Sequence, residues 1–216
     1  RSEIQADHTA APKNNGKRET IFSFFLRYRR FTVALIGVTL LFTFHNMTNS
    51  YLIQIVTSLG GNSASMGTAL SVAAVCEIPA MLVFSKLLKR FSSSRLLMLS
   101  GVFFAAKAAA YLLAVTMPQF YLAQILQMGS FALYIPASVY YVNETMEDAD
   151  KFKGQAVMTA TNTLGGVIGS LIGGILLDYA GVTPLLVTGL AAAVLGAVLL
   201  FFACRNTKTK NRQPDV

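Results

Sequence analysis

The chain has 216 residues, 54% of them hydrophobic and 13% charged, with a formal net charge of +8. Ordinary soluble domains carry about twice that share of charged residues, so a freely soluble globular domain is excluded. Two cysteines and two histidines exclude a disulfide framework and leave no ligand spacing for a metal site. No cofactor is expected.

Residues 1–20, RSEIQADHTAAPKNNGKRET, are polar with mixed charge and read as a flexible cytoplasmic linker. They lack the apolar region of a cleavable signal peptide, and the initial arginine leads us to expect a segment of something longer. The amphipathic stretch IFSFFLRY follows and suits the membrane interface. Arg27, Tyr28, Arg29 and Arg30 then mark a membrane edge. Beyond them, apolar blocks of about 20 to 25 residues alternate with short polar connections, each long enough to cross a bilayer. The expected spans are 31–56, 66–88, 96–116, 120–142, 155–177 and 185–204. The fold class expected is an all-α polytopic membrane protein, with a transmembrane domain over 21–205 and a basic cytoplasmic tail over 206–216.

The first span carries His45, Asn46, Thr48, Asn49 and Ser50, with His45 and Asn49 on one face. The second holds Glu77 two residues before Pro79 and exits into Lys86, Lys89 and Arg90. The third carries Lys107 near its centre. The fourth puts Gln124, Gln127, Phe131 and Tyr134 on one face and contains Pro136, and 143–154 is expected to be a charged connection. In the fifth span Gly165, Gly169 and Gly173 recur every fourth residue, the pattern of close helix packing. With the N-terminus inside, 17 of the 18 Lys and Arg residues fall on one side and only Lys107 remains within the bilayer. The positive-inside rule makes that side cytoplasmic. Net positive charge is then a topology signal, and no nucleic-acid partner is expected.

His45, Glu77 and Lys107 lie near the middle of three consecutive spans. Ionisable side chains at that depth are costly and mark pathways or pair with one another. Two readings stand: a polar cavity in which Glu77 binds solute or titrates, or a structural Glu77–Lys107 ion pair that fixes helix packing. Asn46, Asn49, Gln124, Gln127, Tyr134 and Asn162 add uncharged hydrogen-bonding groups within spans. They suit a hydroxyl-rich solute and serve equally as links between helices. Hydrolase, metalloprotease and phosphate-loop motifs are absent from the sequence, so an enzyme is not expected.

The six spans, the basic 86–95 loop, the run Glu77-Ile78-Pro79-Ala80-Met81 and the glycine-rich fifth span resemble the C-terminal half of a major facilitator superfamily transporter. Within it, the likeness is nearest to lactose-permease-like sugar permeases and sugar efflux proteins. The resemblance implies helices 7–12 of a twelve-helix transporter, arranged as two three-helix repeats over about 31–116 and 118–204. It also implies a partner N-terminal six-helix half, and alternating access around a central cavity in the cytoplasmic membrane. Glu77 then matches the family's helix 8 sugar-binding glutamate and Lys107 its helix 9 cation, with His45 and Asn49 among the helix 7 polar residues. Gln127 and Ser130 stand where the lactose-type proteins place a histidine and a glutamate for proton coupling, a departure that bears on that relay. The partners implied are a small solute, a sugar first, together with protons and the lipid bilayer. Multidrug or other organic-solute efflux is the alternative, followed by a non-transporting membrane subunit.

Overall fold

The computed structural model describes residues 21–205. The expectations for a linker over 1–20 and a tail over 206–216 lie outside the described residues. Helices α1 (Ile21–Arg27), α2 (Arg29–Ser50), α3 (Leu52–Ser58), α4 (Ser63–Arg90) and α5 (Ser93–Leu113) make up the first part of the bundle. They are followed by α6 (Met117–Gln124), a 3₁₀ turn at Ile125–Met128, α7 (Phe131–Thr145), α8 (Asp148–Ala180) and α9 (Val182–Cys204). Six segments are long and apolar enough to cross a membrane: α2, α4, α5, the broken helix Met117–Thr145, α8 and α9. The chain is a multi-pass membrane protein.

Local signals set the helix ends. The Asn62 side chain accepts the Ser65 N–H at 3.1 Å at the start of α4, and Ser92 does the same for Arg95 at 3.4 Å before α5. Lys89 and Arg90 occupy the last turn of α4, and Asp148 and Asp150 the first turn of α8, each with the sign that complements the helix dipole. Gly181, at φ 83°, makes the left-handed turn that lets α9 fold back on α8. The connection expected over 143–154 is much shorter. Its charged residues extend α7 to Thr145 and start α8 at Asp148, because helix ends that emerge into water tolerate charge.

α2 is the centre of the bundle, packed most extensively on α8 and α9, while α5 packs on α9 and α7. Glycine spacing explains how close α8 comes. A Cβ on Gly165 would stand 2.6 Å from the Thr39 carbonyl oxygen, and one on Gly169 would stand 2.4 Å from that of Thr43. Gly173 packs against Met47 and the Tyr51 ring. Tyr51 also separates α2 from α3, and its hydroxyl donates to the Ser170 carbonyl at 2.6 Å. The bend in the first span is thus tied to α8. On α9, Gly196 meets Gly37 with comparable closeness.

α1 docks on the turn between α7 and α8. Phe24 is fully buried with the Lys153 ammonium 4.5 Å over its ring, and Arg27 pairs with Glu147 at 2.7 Å and Asp150 at 3.4 Å. The Tyr28 hydroxyl donates to Asp150 at 2.9 Å. Phe22 and Leu26 remain exposed on the other side, as a helix lying at an interface requires.

The α2–α8 contact gives a contrast between neighbouring glycines. Gly169→Ala should destabilise the detergent-solubilised protein by about 1–3 kcal/mol, the usual cost of overpacking. Gly166→Ala should be nearly neutral, because its added Cβ would lie 3.4 Å from Asn46. Thermal unfolding of the two variants side by side checks both.

Candidate functional site

The fourth span aims the site. Between α6 and α7 the helix tightens into the 3₁₀ turn Ile125–Met128, where side chains three apart eclipse one another. Gln124, the last residue of α6, and Gln127, within the turn, therefore both face α5. Gly129 permits the tightening, since a Cβ there would lie 2.3 Å from the Phe103 ring. The Leu126 carbonyl gathers the Gly129 and Ser130 N–H groups at 3.2 and 3.0 Å and the Ser130 hydroxyl at 2.9 Å, which pins the turn. Pro136, the sequence's more obvious helix breaker, sits inside the continuous α7.

Gln127 joins the two charged residues of the membrane interior. Its Nε2 donates to Glu77 Oε1 at 2.8 Å, and its Oε1 accepts from Lys107 Nζ at 2.5 Å. No direct ion pair joins Glu77 to Lys107 among the described residues. The simple ion pair of the structural reading is replaced by a carboxylate–amide–ammonium chain. Lys107 is 2% exposed and lies 5.1 Å over the Tyr111 ring, so its remaining surroundings are aromatic. The Tyr111 hydroxyl donates to Gln124 Oε1 at 2.8 Å, which extends the network by one turn of α5.

His45 approaches from α2. Its ring stacks on Phe131 with centroids 4.9 Å apart and 12° between planes, and Nε2 lies 3.1 Å from the Asn49 amide nitrogen. If Asn49 is the donor, Nε2 is the unprotonated nitrogen. Nδ1 is buried and has no hydrogen-bond partner among the described residues. His45, Asn49, Glu77, Lys107, Gln124, Gln127 and Phe131 line one cavity of about 460 Å³, closed on its apolar side by Leu52, Met66 and Leu70. Six of the nine residues singled out in the sequence thus meet in one place.

The other three turn away from it. Asn46 donates to the Phe42 carbonyl at 3.0 Å and, with Asn162, lines a separate groove of about 680 Å³ between α2 and α8. Gly166 and Ser170 complete the polar wall of that groove. Tyr134 is fully buried, its ring 4.9 Å from that of Phe42 and its hydroxyl donating to Asn162 Oδ1 at 2.8 Å. The shared face expected for Gln124, Gln127, Phe131 and Tyr134 therefore splits: the first three line the cavity and Tyr134 locks α7 to α8. Tyr111 was missed, although it follows Lys107 by four residues on an apolar helix. Among the described residues no three His, Cys, Asp or Glu side chains gather as a metal would require. Cys76 and Cys204 are both free thiols.

The profile of the Major Facilitator Superfamily matches residues 34–215. The chain belongs to that superfamily. It is also 27% identical over 189 residues to a maltose permease of Geobacillus stearothermophilus, an alignment covering 87% of this chain and 48% of that protein. The chain therefore spans about half the length of the curated relative it matches. Within this superfamily chain, the polar cavity lies between α4 and the broken fourth span, with α2 and α5 supplying His45 and Lys107.

The bridging amide makes a test of the network. Gln127→Leu leaves the buried Lys107 ammonium without its acceptor and should cost about 1–3 kcal/mol, as an orphaned buried polar group does. Adding Lys107→Met should recover only part of that loss, because it removes the orphaned ammonium but leaves Glu77 without its amide donor and its compensating charge. Thermal unfolding of the two single variants and the double variant closes the cycle.

Proposed function

We propose that the chain is the C-terminal half, helices 7–12, of a secondary transporter that carries a neutral sugar, oligosaccharide or glycoside by alternating access. The observation that carries this reading is the Glu77–Gln127–Lys107 chain inside one cavity. One negative and one positive group cancel, so the cavity holds polar donors and acceptors without net charge. That balance favours a polyhydroxylated neutral solute over the lipophilic cations of the multidrug alternative. Glu77 and the amides of Asn49, Gln124 and Gln127 offer hydrogen bonds to hydroxyls, while Phe131 offers an apolar face to a sugar ring. The maltose permease relative points to the same solute class.

In this proposal Glu77 is also the proton-coupling group. It is half-buried, whereas Lys107 is enclosed and His45 is held between Phe131 and Asn49. Protonation of Glu77 would leave Lys107 as the remaining charge and change the hydrogen bond to Gln127, which ties proton uptake to solute affinity. The carbon-rich outer faces of α4 and α8, with Val75, Leu82 and Leu171 each more than 60% exposed, suit contact with an N-terminal six-helix half and with lipid. The bias of 17 Lys and Arg residues to one side supports a cytoplasmic location for residues 1–30, the 86–95 and 143–154 segments and the tail in this scheme.

Two measurements test the proposal. Vesicles carrying the full-length protein should accumulate a labelled maltose-type sugar when a pH gradient is imposed. Glu77→Gln should abolish the gradient-driven component, and full gradient-driven uptake by that variant would remove Glu77 from coupling. Single cysteines placed at 57–64, 117–119 or 178–184 should react with impermeant reagent added outside the cell, and labelling only from the cytoplasm would invert the topology.

A further inference from the structure

A second, wholly different slot lies on the other side of the broken helix. Pro79, Ala80, Val83 and Leu87 of α4, Leu99 and Phe103 of α5, and Met128, Gly129 and Leu133 of the fourth span enclose about 250 Å³. Every lining side chain is apolar. The slot lies beside the break at Gly129, which has no side chain to fill it, and against the unbroken α4 at Pro79. It is smaller than the roughly 300–1,000 Å³ typical of pockets for drug-sized ligands and suits a narrow, flexible chain.

Charge lies at one end of this slot. On α4, Pro79, Val83 and Leu87 repeat every four residues, and Arg90 follows one turn later on the same face. On α5, Phe103 and Leu99 repeat in the same way, and Arg95 precedes Leu99 by four. Both helices therefore carry an arginine one turn beyond the slot, toward the basic end, with Lys86 and Lys89 close by in sequence. Arg90 and Arg95 are exposed, and among the described residues neither forms an ion pair.

We propose that the slot and these two arginines bind one anionic phospholipid. An acyl chain lies in the slot, and the phosphate takes hydrogen bonds from the Arg90 and Arg95 guanidinium groups, which match phosphate oxygens in a forked geometry. A lipid is the occupant that the position selects. The slot lies within membrane-spanning helices, it has no polar partner for a solute, and its charged end meets the headgroup layer. Met128 and Gly129 adjoin Gln127, and Pro79 follows Glu77 by two residues, so an occupied slot buttresses the turn that aims the polar chain and the stretch of α4 that carries Glu77. The site does not depend on the transported solute being a sugar.

The test uses delipidated full-length protein in detergent, with bound lipid counted by native mass spectrometry. Phosphatidylglycerol should bind at least tenfold more tightly than phosphatidylcholine of the same chain length. The double variant Arg90→Gln/Arg95→Gln should remove that preference. Ala80→Phe, which fills the slot, should weaken long-chain phosphatidylglycerol while both variants keep the wild-type melting curve. Glycerol 3-phosphate should not displace the lipid; if it does so at equal concentration, the site recognises free phosphate and the proposal fails. Equal binding of the two lipids, or binding unchanged by both variants, overturns it as well. So does the absence of retained lipid in the wild-type protein, which would mean that protein covers the slot. If Ala80→Phe alone misfolds, Val83→Phe fills the same space and is read in the same way.

Discussion

A lone charge in the middle of a bilayer is costly, and this chain contains two within reach of one side chain. An amide can serve both, because it presents a donor and an acceptor on one rigid plane. Gln127 accepts from Lys107 and donates to Glu77, so neither charge is left without a partner. A direct ion pair would have tied the carboxylate to the ammonium and closed the space between them. The amide instead satisfies one carboxylate oxygen from the side and leaves Glu77 half-buried at the cavity wall. The rest of the local structure follows from placing that amide: the 3₁₀ turn that aims it, the bare Gly129 against Phe103, and Ser130 pinning the turn through the Leu126 carbonyl.

The packing around this centre is uneven. α2 meets α8 and α9 through glycines whose backbones nearly touch those of their neighbours, a contact with no slack. α4 buries only Ala69, Ala73 and Phe84, and it is held chiefly by the fourth span. Its exposed residues are largely apolar, Val75, Ile78 and Leu82 among them. Glu77 thus sits on the helix with the smallest buried share in the bundle, while its partners Gln127 and Lys107 belong to the part centred on α5. A hydrogen bond across that boundary is well placed to report the position of one element to the other.

The bundle itself was legible in the sequence because bilayer thickness and charge placement act on long stretches. Six apolar blocks became six spans, and the glycine ladder found the backbone contact its spacing implied. The meeting of His45, Asn49, Glu77, Lys107, Gln124 and Gln127 was also legible, since each is a polar group at similar depth on a different span. The break at Ile125–Met128 was not. Periodicity cannot separate 3₁₀ from α over four residues, and the visible breaker, Pro136, lies elsewhere in a helix that continues through it. That break rotates the register of α7, which is why Tyr134 points to Asn162 and away from the cavity. The turn at Tyr51 was hidden for a similar reason: its anchor is the Ser170 carbonyl, a partner distant in sequence.

These two hidden breaks share a physical logic. A straight helix offers a cavity only the residues of one fixed stripe, three or four apart. Tightening by one 3₁₀ turn brings Gln124 and Gln127 onto one line and swings the following turns to another side, so a single span contributes both to the cavity and to the lock with α8. On α4, Pro79 removes one ladder N–H close to Glu77, but the helix continues through it to Arg90. The fourth span alone therefore supplies the break, and the apolar slot lined by Met128, Gly129 and Leu133 lies against that same turn.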